Sequence, residues 1–264
     1  MIDDKFYDDI ESISKRLHIN LTAQEIARLA TENHFSESTM QDILSIFQYI
    51  SDKKDQIAIE TFLKLSRLPI RHPKTFDNFD FTAIRGKNAA QLTELRTLSA
   101  VYAHKNIIFI GPAGTGKTHL AQAFGYECCK HKLKAYFIKM SELRDKFLRA
   151  RAKNTTSYLL ADLVRPSCLI IDEVGHCQFD KENTQLFFDL VDRRYNKEGC
   201  NNMIFTSNKE PSSWRENFSE DNALLCTLDR IFDDAMVFEL RGNSFRGQNL
   251  ETYSVETERV HFNR

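Results

Sequence analysis

Residues 111–118 of this 264-residue chain, Gly111-Pro112-Ala113-Gly114-Thr115-Gly116-Lys117-Thr118, gather three of its nine glycines into one loop. The pattern GxxxxGK[ST] suits a phosphate cradle, because several backbone N–H groups must converge where a Cβ would obstruct them. Lys117 would carry a positive charge to the β- and γ-phosphates of a nucleotide and Thr118 a hydroxyl to Mg²⁺, while the dipole of the following helix adds positive potential. His119, the next residue, joins the nucleotide-contact set. The competing reading is an ordinary glycine-rich turn. It loses ground because the loop follows an apolar strand pattern and opens a helical one.

A second element is Cys168-Leu169-Ile170-Ile171-Asp172-Glu173, an apolar run ending in two carboxylates. Asp172 at that strand end would hold the Mg²⁺ shell, and Glu173 beside it would polarise an attacking water, a pairing suited to hydrolysis rather than transfer to an alcohol. Acidic residues are also common where a strand meets a helix N-terminus, so the pair gains its meaning from the loop upstream. A third element, Thr206-Ser207-Asn208, ends the next apolar run, and the Asn208 amide would orient the same water. Taken alone, Asn208 reads as a turn residue.

These residues converge only if the elements carrying them form a parallel sheet, whose ligands bind at the carboxyl ends of the strands. Strand patterns at 106–110, 134–140, 167–173 and 202–208 alternate with helical patterns at about 118–131, 141–162 and 182–197. That alternation predicts βαβ units covered by helices on both faces, after a helix over about 88–103. In the segment 182–197, Leu186, Phe187, Leu190, Val191 and Tyr195 fall on one side, with Asp189, Asp192 and Arg193 on another. Residues 1–68 read as a small all-α domain without Pro or Gly up to residue 66, with Thr22 (followed by Glu25) and Ser36 as N-cap candidates. Residues 69–87 hold Pro69, Pro73 and the cluster Phe76, Phe79 and Phe81. They read as a linker packed on the domain that follows, 88–264.

With 42% hydrophobic and 28% charged residues, 20 Phe and 8 Tyr, the chain can bury a core, which excludes disorder. No apolar run approaches the roughly 18 residues of a spanning helix, and the start MIDDKFYDDIE lacks a signal layout, so we expect no membrane association and a cytoplasmic location. The six cysteines, without a paired CxxC pattern, are expected to be free thiols, and His176-Cys177 lacks a second pair to complete a metal site. The formal net charge of −1 conceals a segregation: residues 1–61 carry 6 basic against 12 acidic residues, residues 62–105 carry 8 against 3, and residues 130–153 carry 9 against 2. A basic run is an electrostatic footprint for nucleic acid or simply a solvated face.

The order of phosphate loop, acidic strand end, strand-end Asn and Asp229-Arg230 in LDRIF resembles the AAA+ ATPases. Whole segments resemble the IstB-type transposition helper ATPases, relatives of the DnaC/DnaI helicase loaders: GPAGTGKTHLAQAFG, LIIDEVGHCQFDKENTQLFFDLVDRRY, FTSNKEPSSWRENF, LDRIF, RGNSFR, and LSRLP followed by FDNFDF. The likeness covers roughly residues 60–247. It implies a P-loop NTPase (AAA+) α/β fold, a parallel sheet sandwiched by helices. It also implies an Mg²⁺-dependent ATPase with ATP as cofactor, self-association into a ring or helical oligomer, a transposase partner, and duplex DNA bound without strong sequence preference. By the same resemblance Arg230 is an arginine finger offered to a neighbouring subunit, and Arg246 helps close the nucleotide site. Lys146, Arg149, Arg151 and Lys153 are the candidate DNA contacts, through phosphates. The acidic N-terminal region departs from a family whose members are commonly basic, so either DNA binding is weaker or that region faces a protein. A helicase loader acting on single-stranded DNA is the alternative function. A small-molecule kinase and a scaffold that binds ATP without turnover fit less well, since Glu173 stands beside Asp172.

Overall fold

The computed structural model describes residues 4–84, 89–219, 221–242 and 244. Three helices open it: α1 (Asp4–Leu17), α2 (Ala23–Glu32) and α3 (Glu37–Leu65). The caps are those expected. Thr22 Oγ1 accepts from the Glu25 backbone while the Glu25 carboxylate accepts from the Thr22 backbone, and Ser36 Oγ accepts from the Thr39 N–H at 3.1 Å. Ile10, Ile26, Ala30 and Met40 close a small core of their own.

Helix α3, 29 residues and therefore about 43 Å long, runs out of that core. Its far end sets Phe62 and Leu63 against a second core, and the Ser66 carbonyl that follows accepts from the Phe137 N–H at 2.8 Å. Asp55 joins the two regions by pairing with Arg16 (3.0 Å) on one side and Lys132 (2.9 Å) on the other.

The segment expected as one helix over 88–103 is instead α4 (Ala89–Glu94), a 3₁₀ turn over Leu95–Thr97 and α5 (Ser99–Tyr102). Leu92, Leu95, Leu98 and Val101 are all buried, and their spacing of three suits a tighter winding than 3.6 residues per turn. The sheet follows, with β1 (Ile107–Ile110), β2 (Ala135–Lys139), β3 (Cys168–Val174), β4 (Asn202–Ser207) and β5 (Met236–Glu239). All pairings are parallel, in the order β2-β3-β4-β1-β5. The first four match the expected strands. The fifth went unseen: it is a short edge strand of alternating exposure, whose apolar run, 235–238, spans only four residues and closely follows a helix.

Helices α6 (Lys117–Lys130), α7 (Met140–Ala152), α8 (Thr156–Val164), α9 (Lys181–Tyr195) and α10 (Asp221–Phe232) complete the α/β domain. The expected single helix over 141–162 is two, because Asn154 takes φ +52° and the Thr155 N–H closes back on the Ala150 carbonyl at 2.8 Å. Asn tolerates that left-handed conformation better than most residues, and the closure is a Schellman stop. Strand residues alternate between the two faces. Ile108, Ile110, Leu169, Ile171 and Phe205 face α7–α10, whereas Ile107, Phe109, Ile170 and Ile204 face α6 and the segment around Phe76. No described helix is long and apolar enough to cross a membrane, and all six cysteines are free thiols, as expected.

In α9 the apolar face differs from the sequence pattern. Tyr195 is exposed and bonds Asp233, while Arg194 is fully buried. Its guanidinium donates to the carbonyls of Leu163, Val164, Pro166 and Asn202 at 2.9–3.1 Å, tying the end of α8 to the starts of β3 and β4. Burial pushes its pKa down to about 10, so it remains charged at neutral pH. Replacing it with Met strands four carbonyls, so Arg194→Met is expected to cost about 3 kcal/mol or more in a urea titration. An unchanged midpoint would contradict this reading.

Candidate active site

The loop 111–116 joins β1 to α6 at the carboxyl edge of the sheet. Gly111 adopts φ +139°, and a Cβ there would lie 2.1 Å from the Leu240 carbonyl oxygen, so this turn admits only glycine beside β5. Gly116 (φ +95°) lies against the Phe79 ring, which a Cβ would approach to 2.8 Å. Lys117 is buried, and its Nζ donates to the Gly111 and Pro112 carbonyls at 2.8 and 2.6 Å. The ammonium is thereby held inside the loop.

Asp172, only 1% exposed, lies near the carboxyl end of β3. Its Oδ1 accepts from Thr118 Oγ1 (2.8 Å) at the start of α6 and from Thr206 Oγ1 (2.5 Å) near the end of β4. Thr206 Oγ1 also accepts from the Glu173 N–H at 3.0 Å, which secures Glu173 at φ +61°, a left-handed value uncommon for a side chain of this kind. The Glu173 carboxylate lies 3.1 Å from Lys139 Nζ at the end of β2. Asn208 is exposed, and its Nδ2 lies 3.3 Å from His176 Nε2. A cleft of about 340 Å³ contains Ala113, Gly114, Gly116, Lys117, Thr118, Glu173, Thr206, Ser207 and Asn208. The three strand-end elements singled out in the sequence therefore share one cavity.

Lys74, His119 and Gln122 form the rest of the cleft wall. His119 Nε2 donates to the Thr75 carbonyl at 2.9 Å, which leaves Nδ1 as the acceptor, and burial pushes its pKa down so that the ring is neutral at pH 7. Phe79 packs edge-on against the same ring at 5.1 Å. Lys74, Gln122 and Lys139 were not foreseen, because their membership depends on which segment lies over the loop and which strand neighbours β3.

The Thr118 hydroxyl and the Asp172 carboxylate are hard oxygen donors already in contact, and among the described residues no cation pairs with Asp172. A carboxylate so deeply buried needs compensation, and the residues present fit Mg²⁺. Elsewhere, no group of three or more His, Cys, Asp or Glu among the described residues could hold a metal, and His176-Cys177 completes none.

The pattern of the IstB-like ATP binding protein family matches residues 13–252. This chain belongs to that family. It is 34% identical over 240 residues to a protein of Geobacillus stearothermophilus named for ATP binding in insertion sequence IS5376, covering 90% of this chain and 93% of the relative. A protein of Pseudomonas aeruginosa named likewise for IS21 is 30% identical over 239 residues, covering 90% and 88%. Among solved structures, DnaI aligns with a TM-score of 0.52 at 18% identity, over 69% of this chain and 93% of that one. DnaA bound to AMPPCP and single-stranded DNA aligns at 0.54 and 22%, over 66% and 52%. At those identities the likeness is one of fold, the P-loop AAA+ sheet with its helices.

In this IstB-like chain Arg230 does not meet its own cleft. It pairs with Asp192 at 3.0 Å and borders a cavity with Asn106, Asn201 and Met203, near the starts of the strands. Arg246 lies outside the described residues. Of the four candidate DNA contacts, Arg149 and Lys153 are exposed and Lys146 is half-buried, and helical spacing sets these three on one side of α7 and its cap. Arg151 does not join them. It points to Asp180 (2.8 Å), Asn183 (3.1 Å) and Glu182 (3.0 Å), which bind α7 to the start of α9.

The double role of the Thr206 hydroxyl gives a direct test. Thr206→Val keeps the shape but removes a donor from Asp172 and an acceptor from Glu173, so it is expected to lower stability by about 1–3 kcal/mol in chemical denaturation. A neutral result would mean that neither bond matters to the strand end.

Proposed function

We propose that this chain is an Mg²⁺-dependent ATPase that assembles with ATP on duplex DNA and presents that DNA to a transposase. The observation that carries the reading is the meeting of Lys117, Thr118, Glu173 and Asn208 in one cleft, with Asp172 bonded to Thr118 behind its wall. Lys117 would leave the loop carbonyls for the β- and γ-phosphates, and the N–H groups of 113–118 would surround the phosphate chain. Thr118 and Asp172 would hold Mg²⁺, which neutralises charge on the phosphate oxygens. Glu173 would accept a proton from the attacking water and Asn208 would orient that water, while the segment carrying Lys74 and His119 shields the cleft. Arg230, set away from its own cleft, suits delivery to that of a neighbouring copy, so turnover would require assembly. The family names of the relatives support the insertion-sequence context.

The ion pair with Lys139 occupies the carboxylate that must act as base. Lys139→Ala is therefore expected to raise DNA-free turnover several-fold. Glu173→Gln is expected to slow hydrolysis by about 10²-fold or more and to hold an ATP-bound assembly on DNA, and normal turnover would refute the base assignment. Lys117→Ala should abolish nucleotide binding. Trp214, the single tryptophan, offers the readout, since its indole N–H donates to Ser207 Oγ at 3.2 Å beside the cleft.

For DNA, five of the nine basic residues in 130–153 are taken up by internal ion pairs, namely Lys130, Lys132, Lys139, Arg144 and Arg151. Of the other four, Lys134 lies over the Phe62 ring at 5.6 Å, and Lys146, Arg149 and Lys153 are the proposed phosphate contacts. Sedimentation velocity with long duplex, single strand or neither, each with and without Mg²⁺-ATP, tests the assembly. Duplex-selective, ATP-dependent growth is expected. Single-strand preference would turn the reading to a helicase loader, and a monomer throughout would refute assembly on DNA.

A further inference from the structure

The N-terminal helical unit has a surface that the nucleotide chemistry leaves unused. Along α3, Ile46, Tyr49, Ile50 and Ile57 recur at helical spacing and are 57%, 69%, 47% and 54% exposed, an apolar stripe interrupted by the exposed Lys53 and covered by no element among the described residues. A lone exposed isoleucine is unremarkable, but a row of four large apolar residues on one helix face marks a contact surface. Beside the stripe, between α1 and α3, runs an open groove of about 660 Å³ bordered by Asp9, Ile13, Leu44, Gln48, Tyr49 and Asp52. Tyr49 belongs to both stripe and groove. Asp9, Asp42 and Asp52 form no ion pair among the described residues, in a region carrying twice as many acidic as basic residues.

An occupant must supply apolar side chains in a row and positive charge along one flank. Nucleic acid is repelled by the carboxylates, and so is an anionic membrane surface. A second copy of this chain fits poorly: of its two basic stretches, 130–153 spends most of its charge on internal pairs, with Lys132 already holding Asp55 of its own chain, and in 62–105 Arg67, Arg96 and Lys105 are paired with Glu142, Asp77 and Asp234. We propose that the α1–α3 face is a docking site for a basic amphipathic helix of another protein, its apolar side on Ile46, Ile50 and Ile57 and its cations on Asp9 and Asp52. Helix-in-groove recognition of this kind reads anchors at a spacing of three, four and seven, the spacing that the stripe offers in return. Since neither the phosphate loop nor the basic face of α7 takes part, the site stands whether or not the chain hydrolyses ATP.

The test uses the full chain and a fluorescein-labelled synthetic amphipathic helix of leucine and lysine, with a leucine–glutamate helix of the same pattern as control, read by anisotropy. The lysine helix is expected to bind at least about tenfold more tightly than the glutamate helix, a difference of about 1.4 kcal/mol. The paired substitutions Ile46→Ser with Ile50→Ser, and Asp9→Asn with Asp52→Asn, should each weaken it by a similar factor while leaving helical circular dichroism and nucleotide-induced Trp214 emission unchanged. All these side chains except the half-buried Asp9 are exposed, so the fold is not at stake. Equal binding of the two peptides, or variants that bind as the natural chain does, overturns the proposal. So does self-association of the chain that the Ile46→Ser, Ile50→Ser pair abolishes, since a second copy would then be what covers the stripe.

Discussion

A single carboxylate, that of Asp172, sits where three chain segments must meet. Its Oδ1 accepts from hydroxyls on the first turn of α6 and near the end of β4, while its backbone belongs to β3. A charge 1% exposed in a protein interior is unfavourable unless something compensates it, and here two hydroxyl dipoles do so in part. That constraint orders the neighbourhood. Thr206 is fixed by Asp172 and in turn fixes the backbone of Glu173, and Thr118 fixes the start of the helix that Lys117 opens. The reactive side chains are thus placed by strand ends and a helix start, the most rigid parts of the molecule, rather than by loops alone.

Much of this could be read from residue order, because each element carries a local reason for its own conformation. The glycines at 111, 114 and 116 mark a turn that tolerates no side chain, and the runs ending at Asp172 and Asn208 are buried strands in any parallel sheet. What escaped the sequence was whatever depends on neighbours. Lys139 meets Glu173 only because β2 lies beside β3, and Lys74 reaches the cleft only because the segment after α3 crosses the loop. Arg194 misled the amphipathic pattern of α9, since a charged residue belongs on the wet side unless four carbonyls await it. The break at Asn154 and the edge strand at 236–239 were missed because a single left-handed residue and a half-exposed strand leave little periodic trace.

The charge layout gains meaning in three dimensions. A stretch that looks strongly basic in sequence is mostly neutralised by pairing within the chain, so α7 offers phosphates a narrower face than the arithmetic implied. The acidic N-terminal unit, by contrast, keeps several carboxylates unpaired around an apolar stripe. Opposite surface chemistries thus lie at separate ends of the molecule, and ligands of opposite sign need not compete for one surface.

Helix α3 joins those ends as one continuous rod, gripped by Phe62, Leu63 and Ser66 at the β2 edge and by Asp55 partway along. It contains neither Pro nor Gly, so it has no hinge at which to bend. Such a rod works as a lever. Over a length of about 43 Å, a tilt of about 10° at the sheet would sweep the opposite tip through about 7 Å, so a small adjustment at the β2 edge becomes a large displacement of the acidic unit.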